Sequence, residues 1–124
     1  MEFNLVLLCE IVQMVEGSYL TQEANLDLAI PFAAASDLMS DVLAYSRPHC
    51  LLLTGLANSH VIHTAEMADI AAIVFVRGKV PPAEVVEMAE EKGIPLITSP
   101  LSMYEMCGRL FQAGLPGCGM QSKA

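Results

Sequence analysis

The chain has 124 residues and a formal net charge of −8, because 14 acidic side chains outnumber only 6 Lys and Arg residues. A chain of this length predicts one domain whose core is large enough to need neither a disulfide nor a structural metal. A surface this acidic gains no counterion-release attraction to nucleic acid or to an anionic membrane, so we expect neither as a partner.

The apolar share of 54% is high for a small domain, and surplus apolar surface most often contacts a second copy of the chain. We therefore expect a homodimer. The apolar N-terminal stretch is interrupted by Glu2, Glu10 and Glu16 and has no basic leading segment, so it predicts neither a signal peptide nor a membrane span. These features favour a cytoplasmic protein.

The first third of the chain predicts a helix, a broken strand and a second helix. Apolar residues recur at helical spacing over residues 5–15. Residues 28–35 predict a strand in two parts, either an edge strand or a bulged one, because Pro31 cannot donate to a ladder. Ser36 is expected to cap the following helix, with Asp37 in its first turn.

Three continuous apolar runs follow, at Cys50–Leu53, Ala72–Val76 and Ile94–Thr98. Such runs, separated by helical patterns, are typical of parallel strands buried on both faces. Each run is followed by a helix, and capping residues and prolines predict where these three helices start: Asn58 or Ser59, Pro81–Pro82, and Ser102 or Ser99. The pattern predicts an α/β fold over residues 1–114, a three-layer α/β/α sandwich with a mostly parallel central sheet, and a flexible tail over 115–124.

The four cysteines form no Cys-x-x-Cys pair. In a reducing compartment we expect Cys9, Cys50 and Cys107 to be small core residues. Cys118 lies in the Gly-rich tail and is expected to be an exposed thiol.

The loops after the three apolar runs predict a candidate binding rim. Ligands of open parallel sheets lie beyond the carboxyl ends of the strands, and helix N-termini there favour an anion. Arg77 and Lys79 add two cations; the alternative interpretation is that both are solvated loop charges of an acidic protein. The rim that could take a phosphate or carboxylate consists of Gly55, Asn58, Ser59, Arg77, Gly78 and Lys79.

The sequence carries no complete catalytic or metal-binding motif. There is no G-x-G-x-x-G, Walker or G-x-S-x-G pattern. His60, His63 and Glu66 form a weak row on one helix, but no further ligand is identifiable. Ser59 and His60 are adjacent in sequence only, and adjacent helical side chains diverge. We expect neither catalysis nor a metal, and no cofactor beyond a nucleotide or phosphate ligand at the rim.

A long pattern of apolar and loop residues extends from about Leu5 to Gly114. Its most characteristic segments are residues 37–44, 53–56, 63–70, 73–81, 93–97 and 102–110. This pattern resembles the sequence pattern of the DRTGG domain family. The resemblance implies a three-layer α/β/α module, similar to the N-terminal domain of the HPr kinase/phosphorylase, with an accessory rather than a catalytic role. Such domains occur alone or attached to phosphotransacetylases and CBS-regulated pyrophosphatases, where they help pair subunits.

The chain departs from the residues that give the family its name. It has Gly55-Leu56-Ala57 where the family often has Gly-Asp-Arg, and Val76-Arg77-Gly78 where the family has Thr-Gly-Gly. Turn geometry alone accounts for the two shared glycines, Gly55 and Gly78.

Three functions stay open from the sequence. The first is a stand-alone homodimeric regulatory or assembly module that senses a small anion or nucleotide at the rim and docks on a partner enzyme. The second is a dimerisation scaffold without a ligand. The third is an accessory fragment of a phosphoryl-transfer enzyme, which the lack of a phosphate loop disfavours.

Overall fold

The structure, a computed structural model, describes residues 5–22 and 27–118. Its elements follow in the order β1 (Val6–Leu7), α1 (Leu8–Met14), β2 (Ser18–Tyr19), β3 (Ala29–Ile30), β4 (Ala33–Ala35), α2 (Met39–Tyr45), β5 (Leu51–Thr54), α3 (Ser59–Met67), β6 (Ala72–Phe75), α4 (Ala83–Glu91), β7 (Leu96–Thr98) and α5 (Met103–Gln112).

A five-stranded sheet with the order β2-β7-β6-β5-β4 forms the centre of the molecule. Strands β4 to β7 run parallel, and β2 pairs antiparallel with β7. The three predicted core strands are therefore confirmed as parallel neighbours. The predicted break at Pro31 is also confirmed, because β3 pairs with β1 in a separate antiparallel sheet while β4 forms an edge of the main one.

The apolar side chains of the central strands alternate between two cores, one on each face of the sheet. Leu51 and Leu53 of β5 belong to the core under α1 and α5, whereas Leu52 belongs to the core under α2, α3 and α4. Successive right-handed crossovers from β4 to β7 advance in one direction, so the three crossover helices share a face. The predicted three-layer α/β/α sandwich is confirmed.

Two of the predicted helix starts are confirmed by side-chain caps, and one is wrong. The Asn58 side chain accepts a hydrogen bond from the His60 N–H at 3.0 Å, and Ser102 accepts one from the Glu105 N–H at 3.2 Å. Ser36 is not a helix cap, because α2 begins only at Met39 and Ser36 Oγ accepts from the Leu38 N–H in a local turn.

The C-terminal segment 115–118 packs against the sheet edge. Leu115 is buried, the Ala33 N–H donates to the Pro116 carbonyl at 2.9 Å, and Gly117 forms a parallel bridge with Ala33. The prediction of an exposed Cys118 is wrong, because Cys118 is half-buried and lies against the core. The rest of the predicted tail, residues 119–124, lies outside the described residues.

A buried serine joins the first helix to the end of the last parallel strand. Ser99 is fully buried, and its hydroxyl donates to the Val15 carbonyl at 2.6 Å and accepts from the Leu101 N–H at 3.1 Å. Val15 follows the last turn of α1, so this one side chain joins the end of α1 to the loop after β7.

We expect Ser99→Ala to lower the free energy of unfolding by about 1–3 kcal/mol, because two buried backbone groups lose their partner. Urea denaturation measures the change. Ser40→Ala is the matched control, since Ser40 is exposed on α2 and should change stability far less. Equal stability of the two variants would contradict the assigned role of Ser99.

Candidate functional site

The loops that follow the parallel strands meet at one edge of the sheet and bond to one another. Lys79 Nζ donates to the Gly55 carbonyl at 3.1 Å, which joins the loop after β6 to the loop after β5. Thr98 Oγ1 donates to the Lys79 carbonyl at 2.8 Å, which joins the end of β7 to the same loop. The structure thus brings Gly55 and Lys79 together, as expected for residues at one edge of a parallel sheet.

Asp37, which the sequence analysis assigned to a helix, is the acidic member of this edge. Its Oδ1 accepts hydrogen bonds from the Gly55 N–H at 2.6 Å and from Thr54 Oγ1 at 3.0 Å. Asp37 follows β4, and β4 runs parallel to β5, so the two strand ends lie side by side. An internal carboxylate therefore takes the Gly55 N–H that a ligand anion would otherwise use.

Arg77 and Gly78 form the centre of a tight turn that follows β6. Their φ angles are +56° and +69°, and the Lys79 N–H donates to the Val76 carbonyl at 3.1 Å, as in a type I′ turn. The Arg77 and Gly78 N–H groups donate to the carbonyls of the β7–α5 loop, at 2.9 and 2.7 Å. The backbone donors of this turn thus have internal partners, while the Arg77 side chain is exposed.

Glycine is required at only one of the two positions that the sequence analysis attributed to turn geometry. Gly78 has a left-handed backbone, which favours glycine. Gly55 does not have a positive φ, and a Cβ there would lie 3.4 Å from Val76 Cγ2 and 3.5 Å from the Asp37 carboxylate, which are ordinary contacts. The prediction that turn geometry requires Gly55 is therefore wrong.

Asn58 and Ser59 lie exposed at the start of α3. The Asn58 side-chain oxygen caps the helix by accepting from the His60 N–H, and Ser59 is the first helical residue. Both residues therefore lie where the candidate rim was predicted, but the side-chain oxygen of Asn58 is already used to cap α3.

Among the described residues, three cationic side chains have partners away from this edge, and two lie at it. Arg47 lies 5.3 Å from the centre of the Phe32 ring, and Lys92 and Arg109 form ion pairs with Glu66 at 3.0 Å and Glu16 at 2.9 Å. Within the part of the chain that the structure describes, Lys79 bonds a carbonyl and the Arg77 guanidinium has no recorded partner. Arg77 is therefore the cation most available to a ligand.

Two further kinds of site can be assessed in the described residues. His60 and His63 are exposed, Glu66 pairs with Lys92, and no group of three or more His, Cys, Asp and Glu side chains in residues 5–22 and 27–118 could hold a metal ion. In the same residues, every helix is too short or too polar to cross a bilayer.

The sequence model of the DRTGG domain matches residues 10–113. The chain belongs to the DRTGG domain family. No curated protein is significantly similar to it in sequence.

A solved structure with the same fold is the crystal structure of the CBS and DRTGG domains of the regulatory region of Clostridium perfringens pyrophosphatase, complexed with the activator diadenosine tetraphosphate. The TM-score is 0.69 and the sequence identity is 13%. The match covers 91% of this chain and 49% of that chain, so this DRTGG domain spans about half the length of the structure it matches.

In this DRTGG domain we expect Asp37→Ala to lower the free energy of unfolding by about 1–2 kcal/mol, because the Gly55 N–H and the Thr54 hydroxyl lose a charged acceptor. Asp37→Asn should lose less, since its amide oxygen can still accept from Gly55. Urea denaturation measures both changes.

Glu87→Ala is the control, because Glu87 is exposed on α4 and has no recorded partner in the described residues. If Asp37→Ala is as stable as this control, the carboxylate does not hold the two loops together.

Proposed function

We propose that this DRTGG domain is a non-catalytic regulatory or assembly module that forms a homodimer and acts on a partner enzyme. Membership of the family supports the module, and the similar domain of the Clostridium perfringens protein lies in the regulatory region of a pyrophosphatase. The observation that carries the homodimer is an exposed aromatic stripe on α5.

This α5 stripe consists of Tyr104, Gly108 and Phe111, which lie at i, i+4 and i+7 on one face of the helix. Tyr104 is 89% exposed and Phe111 is 73% exposed. Exposed aromatic side chains are enriched at protein interfaces. Nothing lies within 4 Å of a Cβ built on Gly108, so the middle of the stripe is open.

The stripe is self-complementary, as a two-fold contact requires. Two α5 helices that cross antiparallel at Gly108 bring Tyr104 of one copy close to Phe111 of the other. Glycine at the crossing point lets the helix backbones approach closely. A groove of about 540 Å³ lies beside the stripe and is lined by the alanines of β4, so apolar surface continues from the helix to the sheet edge.

We expect the wild-type chain to have twice the monomer mass of 13.3 kDa by light scattering, and Phe111→Glu to have the monomer mass. The charge would have to be buried without a partner at the proposed contact, which costs several kcal/mol. A concentration series from micromolar to millimolar gives the dissociation constant of each variant.

Met67→Glu is the matched control, because Met67 is 66% exposed on α3 on the other face of the sheet and should leave the dimer intact. A dimer that survives Phe111→Glu and dissociates with Met67→Glu would move the interface to α3. A wild-type monomer at millimolar concentration would disprove the homodimer.

A second function, binding of an anionic ligand at the rim, is favoured by the Arg77 side chain. It projects from a rigid turn next to Lys79 in a chain of net charge −8. Because Asp37 and the β7–α5 loop already use the backbone N–H groups, we propose that a phosphate group contacts the two cationic side chains rather than the backbone. Of the six residues proposed for the rim, Gly55, Asn58, Ser59, Arg77, Gly78 and Lys79, we therefore expect Arg77 and Lys79 to make the ligand contacts.

We expect phosphate compounds that bind the native state to raise the melting temperature. A ligand at 100 times its dissociation constant adds about 2.7 kcal/mol of stability. The probes are inorganic phosphate, ATP and diadenosine tetraphosphate, the last because the Clostridium perfringens regulatory region was crystallised with it. Arg77→Ala should abolish the rise.

Lys92→Ala is the charge-matched control for Arg77→Ala, because it removes one cation that pairs with Glu66 away from the rim. It should keep the full ligand-induced rise. No rise with any probe in the wild-type chain would leave the dimerisation scaffold without a ligand as the function. Phosphoryl transfer by the purified chain would instead favour the accessory fragment of an enzyme.

A further inference from the structure

Two cysteines that are 68 residues apart in the chain lie in contact beside the edge strand β4. The Sγ atoms of Cys50 and Cys118 lie 2.9 Å apart, and both residues are free thiols. We infer that Cys50 and Cys118 are a redox modification site, at which a reversible disulfide fastens the C-terminal segment to the sheet. This inference is independent of the proposed dimer and of the proposed ligand.

The geometry brings the pair close to the bonded state. A disulfide has an S–S distance of about 2.05 Å, so the two sulfur atoms need to approach by less than about 1 Å. Cys50 is fully buried and its backbone is held, since its carbonyl accepts from the Ala71 N–H at 2.8 Å and its N–H donates to Arg47. Cys118 is only half-buried, so we expect Cys118 to make most of the movement.

The different burial of the two thiols indicates which of them reacts first with an oxidant. Burial raises the pKa of the Cys50 thiol, and the contact with Cys118 raises it further, so Cys50 stays protonated at neutral pH. Cys118 is half-buried and reachable from solvent. Cys118 is therefore the thiol that attacks an external oxidant first, and Cys50 is the resolving thiol.

The oxidant is a low-molecular-weight disulfide such as glutathione disulfide. The Cys118 thiolate attacks one sulfur atom, forms a mixed disulfide and releases one glutathione thiolate. The Cys50 thiol then loses its proton, attacks the Cys118 sulfur and releases the second glutathione. In sum, two protein thiols and one glutathione disulfide give one protein disulfide and two glutathione molecules, and excess glutathione reverses the reaction.

The bond would act on the surface beside β4. A groove of about 630 Å³ is lined there by Ala33–Ala35, Tyr45, Gly117 and Cys118. The C-terminal segment forms one wall of this groove and hydrogen-bonds to the edge strand through Pro116. In the thiol state this wall is held by non-covalent contacts, and oxidation would add a covalent bond to them.

The test exposes the intact chain to glutathione buffers of graded redox poise, quenches it with acid, and then alkylates the remaining thiols in denaturant, so that the buried Cys50 reacts wherever it is reduced. We expect two of the four thiols to become protected in oxidising buffer, and peptide mapping to find one cross-link, between Cys50 and Cys118. The oxidised chain should melt about 10 °C higher than the reduced chain, since the bond closes a long loop. Hydrogen exchange of the Ala33 amide should slow on oxidation.

The Cys9→Ser and Cys107→Ser variants are the controls and should keep both the cross-link and the rise in melting temperature. Cys118→Ser should lose both. The inference is overturned if Cys50 and Cys118 both stay open to alkylation in the oxidised wild-type chain, if glutathione stays attached to Cys118, or if Cys118 links two chains. Mapping of the wild-type chain decides this even where a variant fails to fold.

Discussion

Four parallel strands, of which β5 and β6 are buried on both faces, are the constraint on which the rest of the structure depends. Each parallel connection needs a crossover, and right-handed crossovers that advance in one direction put α2, α3 and α4 on the same face of the sheet. The opposite face is then left to α1 and α5. Because all four strands end at one edge, the loops that follow them are brought together there, and the rim is a consequence of the strand direction.

The internal charge at the rim changes what the rim can bind. A sheet edge with several helix N-termini attracts an anion, and in this domain Asp37 already supplies one at the Gly55 N–H. The bond stabilises the junction of two loops and at the same time removes a backbone donor from any ligand. Recognition of a phosphate would then rest on Arg77 and Lys79, whose side chains can adapt to ligands of different shape more readily than a rigid backbone cradle.

The fold was largely predictable from the sequence because its signals are local. Continuous apolar runs and caps such as Asn58 and Ser102 report on strands and helix starts within a few residues. Asp37 was misassigned for the same reason: its partners, Thr54 and Gly55, are 17 and 18 residues away, and only the parallel pairing of β4 with β5 brings them close. The contact of Cys50 with Cys118 spans 68 residues and had no local signal at all.

The surface around β4 joins these features. Its three alanines leave room on both faces of the edge strand, where one groove leads to the aromatic stripe of α5 and the other to the C-terminal segment. An edge strand with unpaired backbone groups tends to pair with other chains unless it is covered. Here the bond from Ala33 to Pro116 covers the start of β4, so the state of the C-terminal segment determines how much of the edge a partner can reach. Cys118 packs against the core at the end of that segment, so the inferred disulfide with Cys50 would change how firmly the segment covers the edge strand.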